Sequence, residues 1–474
     1  MPLAEEYLIS GWILGIVMIP VVAHRRRLTS ALSWLTLVFA LPWLGALLYV
    51  LFAEHRPTRR ARLHRAILDA SRTEERLAFQ GPHLAHASLP LEHADLGALV
   101  QRLGGFAALG GNAVEVMPGD HGTVTRMIED IDGARRHVHL LYYLIEPDRT
   151  GCAVAEALER AATRGVDCRV LADAVGSRRF HRRLAPRLRD RGVHVRKVLS
   201  LPFLARKFRP LDLRNHRKLI VVDGRIAYTG SMNLMDAEEP PTDNGAPWRE
   251  VMVRLTGPAV LQAQVVFDED WRHNGGEPLP EAGVPQPACA AGDVKVQTVP
   301  SGPTDRADLI HDLLVAAIGD ARERVVVTTP YFIPDGATRV ALELAALRGL
   351  RVQVVIPRRS DSRVLDLASR SYVEELLSHG VEVYEHDTGF LHAKTFTSDG
   401  SLAMIGSANF DRRSFHLNFE LNLLLYGCEA AAPVLRMQEQ FLSDARRIER
   451  DVWERRPRAG RIVEDVVRLL SPLF

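Results

Sequence analysis

The tightest constraint on this chain is a string of residues that it carries twice. His216, Lys218 and Asp223, followed by Gly230, Ser231 and Asn233, return with every interval unchanged as His392, Lys394, Asp399, Gly406, Ser407 and Asn409. A match of that extent inside one polypeptide marks a duplication, so the two copies must adopt one local fold. Histidine and lysine two apart share one face of a strand, because strand side chains alternate. The apolar residues after each pair, 219–222 and 395–396, run to Asp223-Gly224 and Asp399-Gly400-Ser401, which are turn signals. Each copy therefore reads as a hairpin that delivers its polar groups at the mouth.

That group of side chains suits a phosphodiester. Of two imidazoles, one can attack phosphorus while the other donates a proton. Lys218, Lys394, Ser231, Asn233, Ser407 and Asn409 offer donors for the non-bridging oxygens, so no metal or cofactor is required for charge stabilisation. Neither copy is complete alone, because each supplies one histidine. The two hairpins are expected to meet across a pseudo-twofold axis inside the monomer.

The paired strings resemble the HKD motifs of the phospholipase D superfamily, and within it the chain is similar over nearly its whole length to the bacterial cardiolipin synthases. The resemblance implies a membrane phosphatidyltransferase that joins two phosphatidylglycerol molecules into cardiolipin and releases glycerol. By similarity, His216 is the nucleophile that forms a phosphatidyl-histidine and His392 is the acid and then the base. The acidic residues that orient the histidines in this family match Glu250, in Trp248-Arg249-Glu250, and Glu420, in Asn418-Phe419-Glu420. Asp223 and Asp399 belong to the catalytic motif but are expected to support it rather than carry protons. Motif residues alone leave open a phospholipase D hydrolase that uses water in the second step, a nuclease of the same superfamily, and a silent membrane scaffold.

Self-similarity extends beyond the motif. Residues 138–148, VHLLYYLIEPD, match residues 325–335, VVVTTPYFIPD. Each is followed by a helical pattern ending at Arg164-Gly165 or Arg348-Gly349, a strand, a further helix and a Gly-Val strand before the hairpin. The fold class expected is α/β: two fused phospholipase-D-like domains, 112–277 and 294–474, each a mixed sheet flanked by helices. Residues 278–293, rich in Pro and Ala, read as the linker between them. Thr329-Pro330-Tyr331-Phe332 resembles a cardiolipin synthase segment and puts Tyr331 near the cleft. The halves differ in residues 196–215, where Phe203, Phe208 and other apolar residues alternate with Arg206, Lys207 and Arg209, as in an interfacial segment or in a surface loop packed on the other domain.

Residues 7–23 and 30–53 are apolar runs without charge, separated by His24-Arg25-Arg26-Arg27. With Glu5 and Glu6 at the start and a longer second run, they read as two membrane helices over 1–55 rather than a signal peptide. Five arginines at 56, 59, 60, 62 and 65 outnumber those between the runs, which favours cytoplasmic catalytic domains at a bacterial inner membrane. Residues 56–111 read as an amphipathic connector, in which His83 and His86 lack partners for a metal. The partners implied are phospholipid and a lipid bilayer. A formal charge of +2 speaks against nucleic acid. Four scattered cysteines lack metal or redox spacing, and the arginine-rich tail over 446–461 reads as a solvated helix that could touch anionic lipid. Oligomeric state stays open, since one chain can complete the site.

Overall fold

The computed structural model describes residues 2–23, 28–52, 89–199, 213–237, 247–277, 290–303 and 308–469. The connector histidines His83 and His86, most of the linker, and Phe203 and Phe208 with the basic residues between them lie outside those residues, as do Arg25 to Arg27. The chain divides into two compact units.

In the smaller unit, helices cover Pro2–Ala23, Leu28–Ala40 and Pro42–Phe52. The second apolar run, expected as a single span, is thus two short helices. Pro42 has no N–H to donate and disfavours helical geometry at Leu41, so the chain bends there. Among the described residues no helix is long and apolar enough to cross a membrane.

The larger unit is built on one sheet of fifteen strands. Its centre is the antiparallel pair Leu109–Pro118 and Val294–Ser301, which carries the sheet from one half into the other. Outward through the first half follow Val251–Thr256, Ile226–Gly230, Lys218–Val222, His137–Tyr142, Asp167–Asp173 and His194–Val198. Outward through the second follow Glu420–Tyr426, Leu402–Gly406, Thr395–Ser398, Arg324–Thr328, Arg351–Pro357 and Glu382–His386, then an extra edge strand, Ala445–Arg447. In both halves the three strands before the motif are parallel and the hairpin is antiparallel. The expected mixed sheet with flanking helices is present, but as one continuous sheet rather than two separate ones.

These strands are near-continuous Val, Leu and Ile because helices cover both faces. Equivalent caps set the covering helices. Asp148 accepts from the Gly151 N–H at 3.0 Å at the start of Arg149–Thr163, and Asp335 from the Thr338 N–H at 3.0 Å at the start of Gly336–Leu347. The end of the supposed connector is regular structure instead. Helix Leu91–Leu103 places Leu96 and Val100, one turn apart on one face, in the same core as Leu309 and Leu313 of the second half.

Candidate active site

The hairpins bring their histidines together, and the contacts between halves are crossed. The backbone N–H of His216 donates to the carbonyl of Phe419, and that of His392 to the carbonyl of Arg249, both at 2.8 Å. Phe419 and Arg249 directly precede Glu420 and Glu250. Each histidine is thereby pinned beside the glutamate of the opposite half. His216 Nδ1 lies 3.0 Å from Glu420 Oε2 and 3.0 Å from the Ser407 carbonyl; His392 Nδ1 lies 2.7 Å from Glu250 Oε1. Both partners of His216 Nδ1 are acceptors, so Nδ1 holds the proton and Nε2 is left with its lone pair. The same tautomer follows for His392 from its carboxylate partner.

Electrostatics keep this arrangement. Burial opposes ionisation of Glu420, but the pairing with His216 and the nearby Lys218 outweigh it and hold the carboxyl below its ordinary range. Glu250 is held low in the same way, by His392 and Lys394 against burial. Burial pushes His216 down against the pull of Glu420, and pushes His392 down to about 3 against that of Glu250.

Lys218 and Lys394 are fully enclosed, and each donates Nζ to the carbonyl of its own motif histidine, at 2.8 and 2.6 Å. Burial, joined by repulsion from Lys394, pushes Lys218 down to about 7; burial pushes Lys394 down to about 8 although Glu250 and Glu420 pull it up. Two ammonium groups crowded into a dry cleft gain from an anion between them.

The other motif residues divide. Ser231 and Ser407, expected to donate to phosphate, bond through Oγ to Glu250 and Glu420 instead. Each Oγ also accepts a backbone N–H, from Val251 and Leu421, both at 2.9 Å. With the single hydroxyl proton spent on a carboxylate, these serines brace the orienting glutamates. Asn233 and Asn409 are buried, and the side-chain oxygen of each has no partner among the described residues. Asp223 and Asp399 sit at the far turn of each hairpin and touch neither histidine. Asp223 accepts from the N–H groups of Arg135, Arg136 and His137 at 2.8–3.0 Å, and Asp399 from those of Arg322, Glu323 and Arg324 at 2.9 Å. Both adopt positive φ, 54° and 52°, which a short polar side chain tolerates.

Several side chains at the site carry no motif signal. Arg217, on the strand face opposite His216 and Lys218, is buried and bonds Asp270 at 2.7 Å and the carbonyls of Glu420 and Ser301 at 3.1 and 3.0 Å, tying the halves together. Period-two alternation predicts its direction but not its partners. The Tyr143 ring meets His216 edge-on at 5.0 Å, and Trp248 lies 4.4 Å from His392. Tyr331 does reach the cleft, 6.5 Å from the His392 ring, with its hydroxyl donating to Asp361 at 2.5 Å.

Comparison with known proteins shows the family to which these two halves belong. A family model described as "Cardiolipin synthase, PLD-like domain" matches twice, over residues 127–271 and 314–443. Cardiolipin synthase A of Cronobacter sakazakii and that of Escherichia fergusonii are each 34% identical, over 98% of this chain and 96% of theirs. A crystal structure of a phosphatidylserine synthase from Haemophilus influenzae has the same fold over 80% of this chain and 100% of its own, with a TM-score of 0.60 at 14% identity.

Proposed function

The chain belongs to the cardiolipin synthase family of phospholipase-D-like proteins, and from that membership we propose that it is a phosphatidyltransferase that makes cardiolipin from two phosphatidylglycerol molecules. The observation that carries the reading is the pair of imidazoles, each held by the other half's glutamate with Nε2 free.

In the first step His216 Nε2 attacks phosphorus. The bond from phosphorus to the glycerol oxygen breaks, and that oxygen takes a proton from His392 Nε2. In the second step the hydroxyl of another phosphatidylglycerol gives its proton to His392 and attacks phosphorus, and the phosphorus–nitrogen bond to His216 breaks. Burial favours neutral His392, so the incoming phosphodiester anion must raise its affinity for a proton before it can serve as acid. Lys218 and Lys394 flank the phosphoryl oxygens, and the donors that Asn233 and Asn409 would add are their side-chain Nδ2 groups, that of Asn409 already giving one N–H to Asp411. Glu420 and Glu250 stabilise the imidazolium forms as charge develops.

The substrates place the enzyme at a bilayer. The helices of the smaller unit support this, because Ile9, Trp12, Ile13, Ile16 and Val17 on the first and Trp43 and Leu47 on the third are largely exposed, a surface suited to lipid. The reading includes anchoring in a bacterial inner membrane by these helices, with the arginines after residue 55 holding the catalytic halves on the cytoplasmic side.

The test is detergent-solubilised protein with labelled phosphatidylglycerol, with His216→Ala alongside. Cardiolipin and glycerol, absent with the variant, are the expected products. Phosphatidic acid alone would replace the reading with a hydrolase, and no product would remove phosphatidylglycerol as donor.

A further inference from the structure

The last described helix, Arg458–Arg468, is amphipathic, and its apolar arc is turned outward. Its polar side meets the protein. Glu464 is buried and forms a two-bonded ion pair with Arg456, at 2.8 and 2.9 Å. Arg461 reaches Glu374 at 2.5 Å and Arg468 reaches Glu375 at 2.9 Å, both on helix Arg363–Ser378, and the Arg468 guanidinium lies 4.5 Å over the Tyr372 ring. Val467 alone of its aliphatic residues packs against the core beneath.

The apolar side faces out. Ile462, Val463, Val466 and Leu469 fall on one arc of the helix and are 61, 49, 56 and 76% exposed. A soluble surface helix normally buries such an arc and hydrates its charges. Here ion pairs, each worth little at a surface, hold the helix in an orientation that leaves four aliphatic side chains in water. The inversion is favourable only if something apolar covers the outer arc.

Charge identifies the cover. Between Arg446 and Leu469 the chain carries eight arginines; Arg456, Arg461 and Arg468 are spent on the inward pairs, and the other five are exposed beside four exposed carboxylates. Arg446, Arg447, Arg450 and Arg458 are themselves exposed, and Val452, on the neighbouring helix Arg450–Glu454, is exposed as well. Aliphatic side chains bordered by arginines match an anionic lipid surface, where the former enter the acyl boundary and the latter meet phosphates. We propose that Arg458–Arg468 is a second membrane-binding element, which seats the catalytic unit flat on an anionic bilayer independently of the amino-terminal helices. The proposal rests on the membrane reading above and extends it to a surface far along the chain from the anchor.

The test uses the full chain with its four native cysteines replaced by serine or alanine, in a form that still turns over, so that folding is assured. Val463→Cys carries an environment-sensitive fluorophore, and the protein is reconstituted into vesicles containing phosphatidylglycerol with brominated acyl chains. Ile13→Cys, labelled in the same way on the amino-terminal helix, is the internal reference. The expected result is strong quenching at both positions, with quenching at 463 falling several-fold in vesicles of zwitterionic lipid only. Quenching at 13 but not at 463 would overturn the proposal and leave the membrane reading intact; quenching at neither would remove both. Label-to-label transfer at 463, without lipid quenching, would overturn it in favour of a second copy of this chain. Ile462→Ser with Val466→Ser should raise the lipid concentration for half-maximal rate at least about fivefold in vesicles, with the maximal rate unchanged.

Discussion

His216 and His392 descend from one duplicated hairpin, and their backbones are pinned by equivalent bonds to Phe419 and Arg249, yet their surroundings have diverged. His216 has Tyr143 at its edge and two acceptors at Nδ1, and the strand that carries it is fastened to the other half by buried Arg217. His392 has a single, shorter bond to Glu250 and is walled by Trp248, Phe390 and Tyr331, and the residue in the place of Arg217 is Ala393. Duplication preserved what both imidazoles share, a carboxylate that holds the proton at Nδ1 and leaves Nε2 its lone pair. Divergence altered how readily each takes a proton, which is what a reaction needs when one histidine attacks and the other titrates.

That contrast can be broken in order of effect. His216→Ala and His392→Ala should each lower kcat by at least about 10⁴, because nucleophile and acid act as a unit. The two should differ in kind: the covalent phosphatidyl adduct, trapped by rapid acid quench, should map to His216 and survive His392→Ala with an activated leaving group. An adduct mapped to His392 would exchange the two duties. Glu420→Gln and Glu250→Gln should each cost about 10²-fold. Glu420→Gln should slow adduct formation with any leaving group. Glu250→Gln should be compensated by an activated one if its partner His392 is the proton donor, as proposed. The reverse pattern would mean that each glutamate serves its own half.

Smaller changes sharpen the picture. Lys218 and Lys394, pushed to about 7 and about 8, lose their positive charges as pH rises through that range, so anion binding is strongest below it. The KM for phosphatidylglycerol should be flat from pH 5 to 6.5 and rise by roughly tenfold per unit above pH 8. A flat KM to pH 9 would mean that the lysines do not hold the phosphate. Asp223→Ala should leave the N–H groups of exposed Arg135 and Arg136 and of buried His137 without their acceptor and cost about 1–2 kcal/mol in urea unfolding. Asp223→Asn, which tolerates the same positive φ, should cost less and should spare kcat in the folded fraction. Tyr331→Phe should change kcat only a few-fold, since its hydroxyl bonds Asp361 and not the histidine.

Much of this was legible in the chain. The order of strands and helices, the hairpin turns at Asp223 and Asp399, and the convergence of two half-sites follow from period, turn residues and repetition, all local properties. Three readings were not recoverable in that way. The serines read as phosphate donors because Ser beside Asn beside Lys looks like an anion cradle, and nothing nearby in sequence reveals that Glu250 and Glu420 claim their protons. The second apolar run read as one helix because hydropathy sums over Pro42. Helix Leu91–Leu103 closes a long polar, turn-rich stretch that masks its apolar face of Leu96, Leu99, Val100 and Leu103.

The sequence by itself determined the family, the fold class and which side chains point the same way, since alternation along a strand and the chirality of turns act over a few residues. Only the tertiary structure decided which glutamate serves which histidine. Those partners lie 204 and 142 residues apart, and their meeting depends on a sheet that runs unbroken through both halves and on parallel bridges at Phe419 and Trp248–Arg249. Long-range pairing of this kind is set by the burial of two whole half-sheets against each other, an energy that no local stretch of the chain encodes.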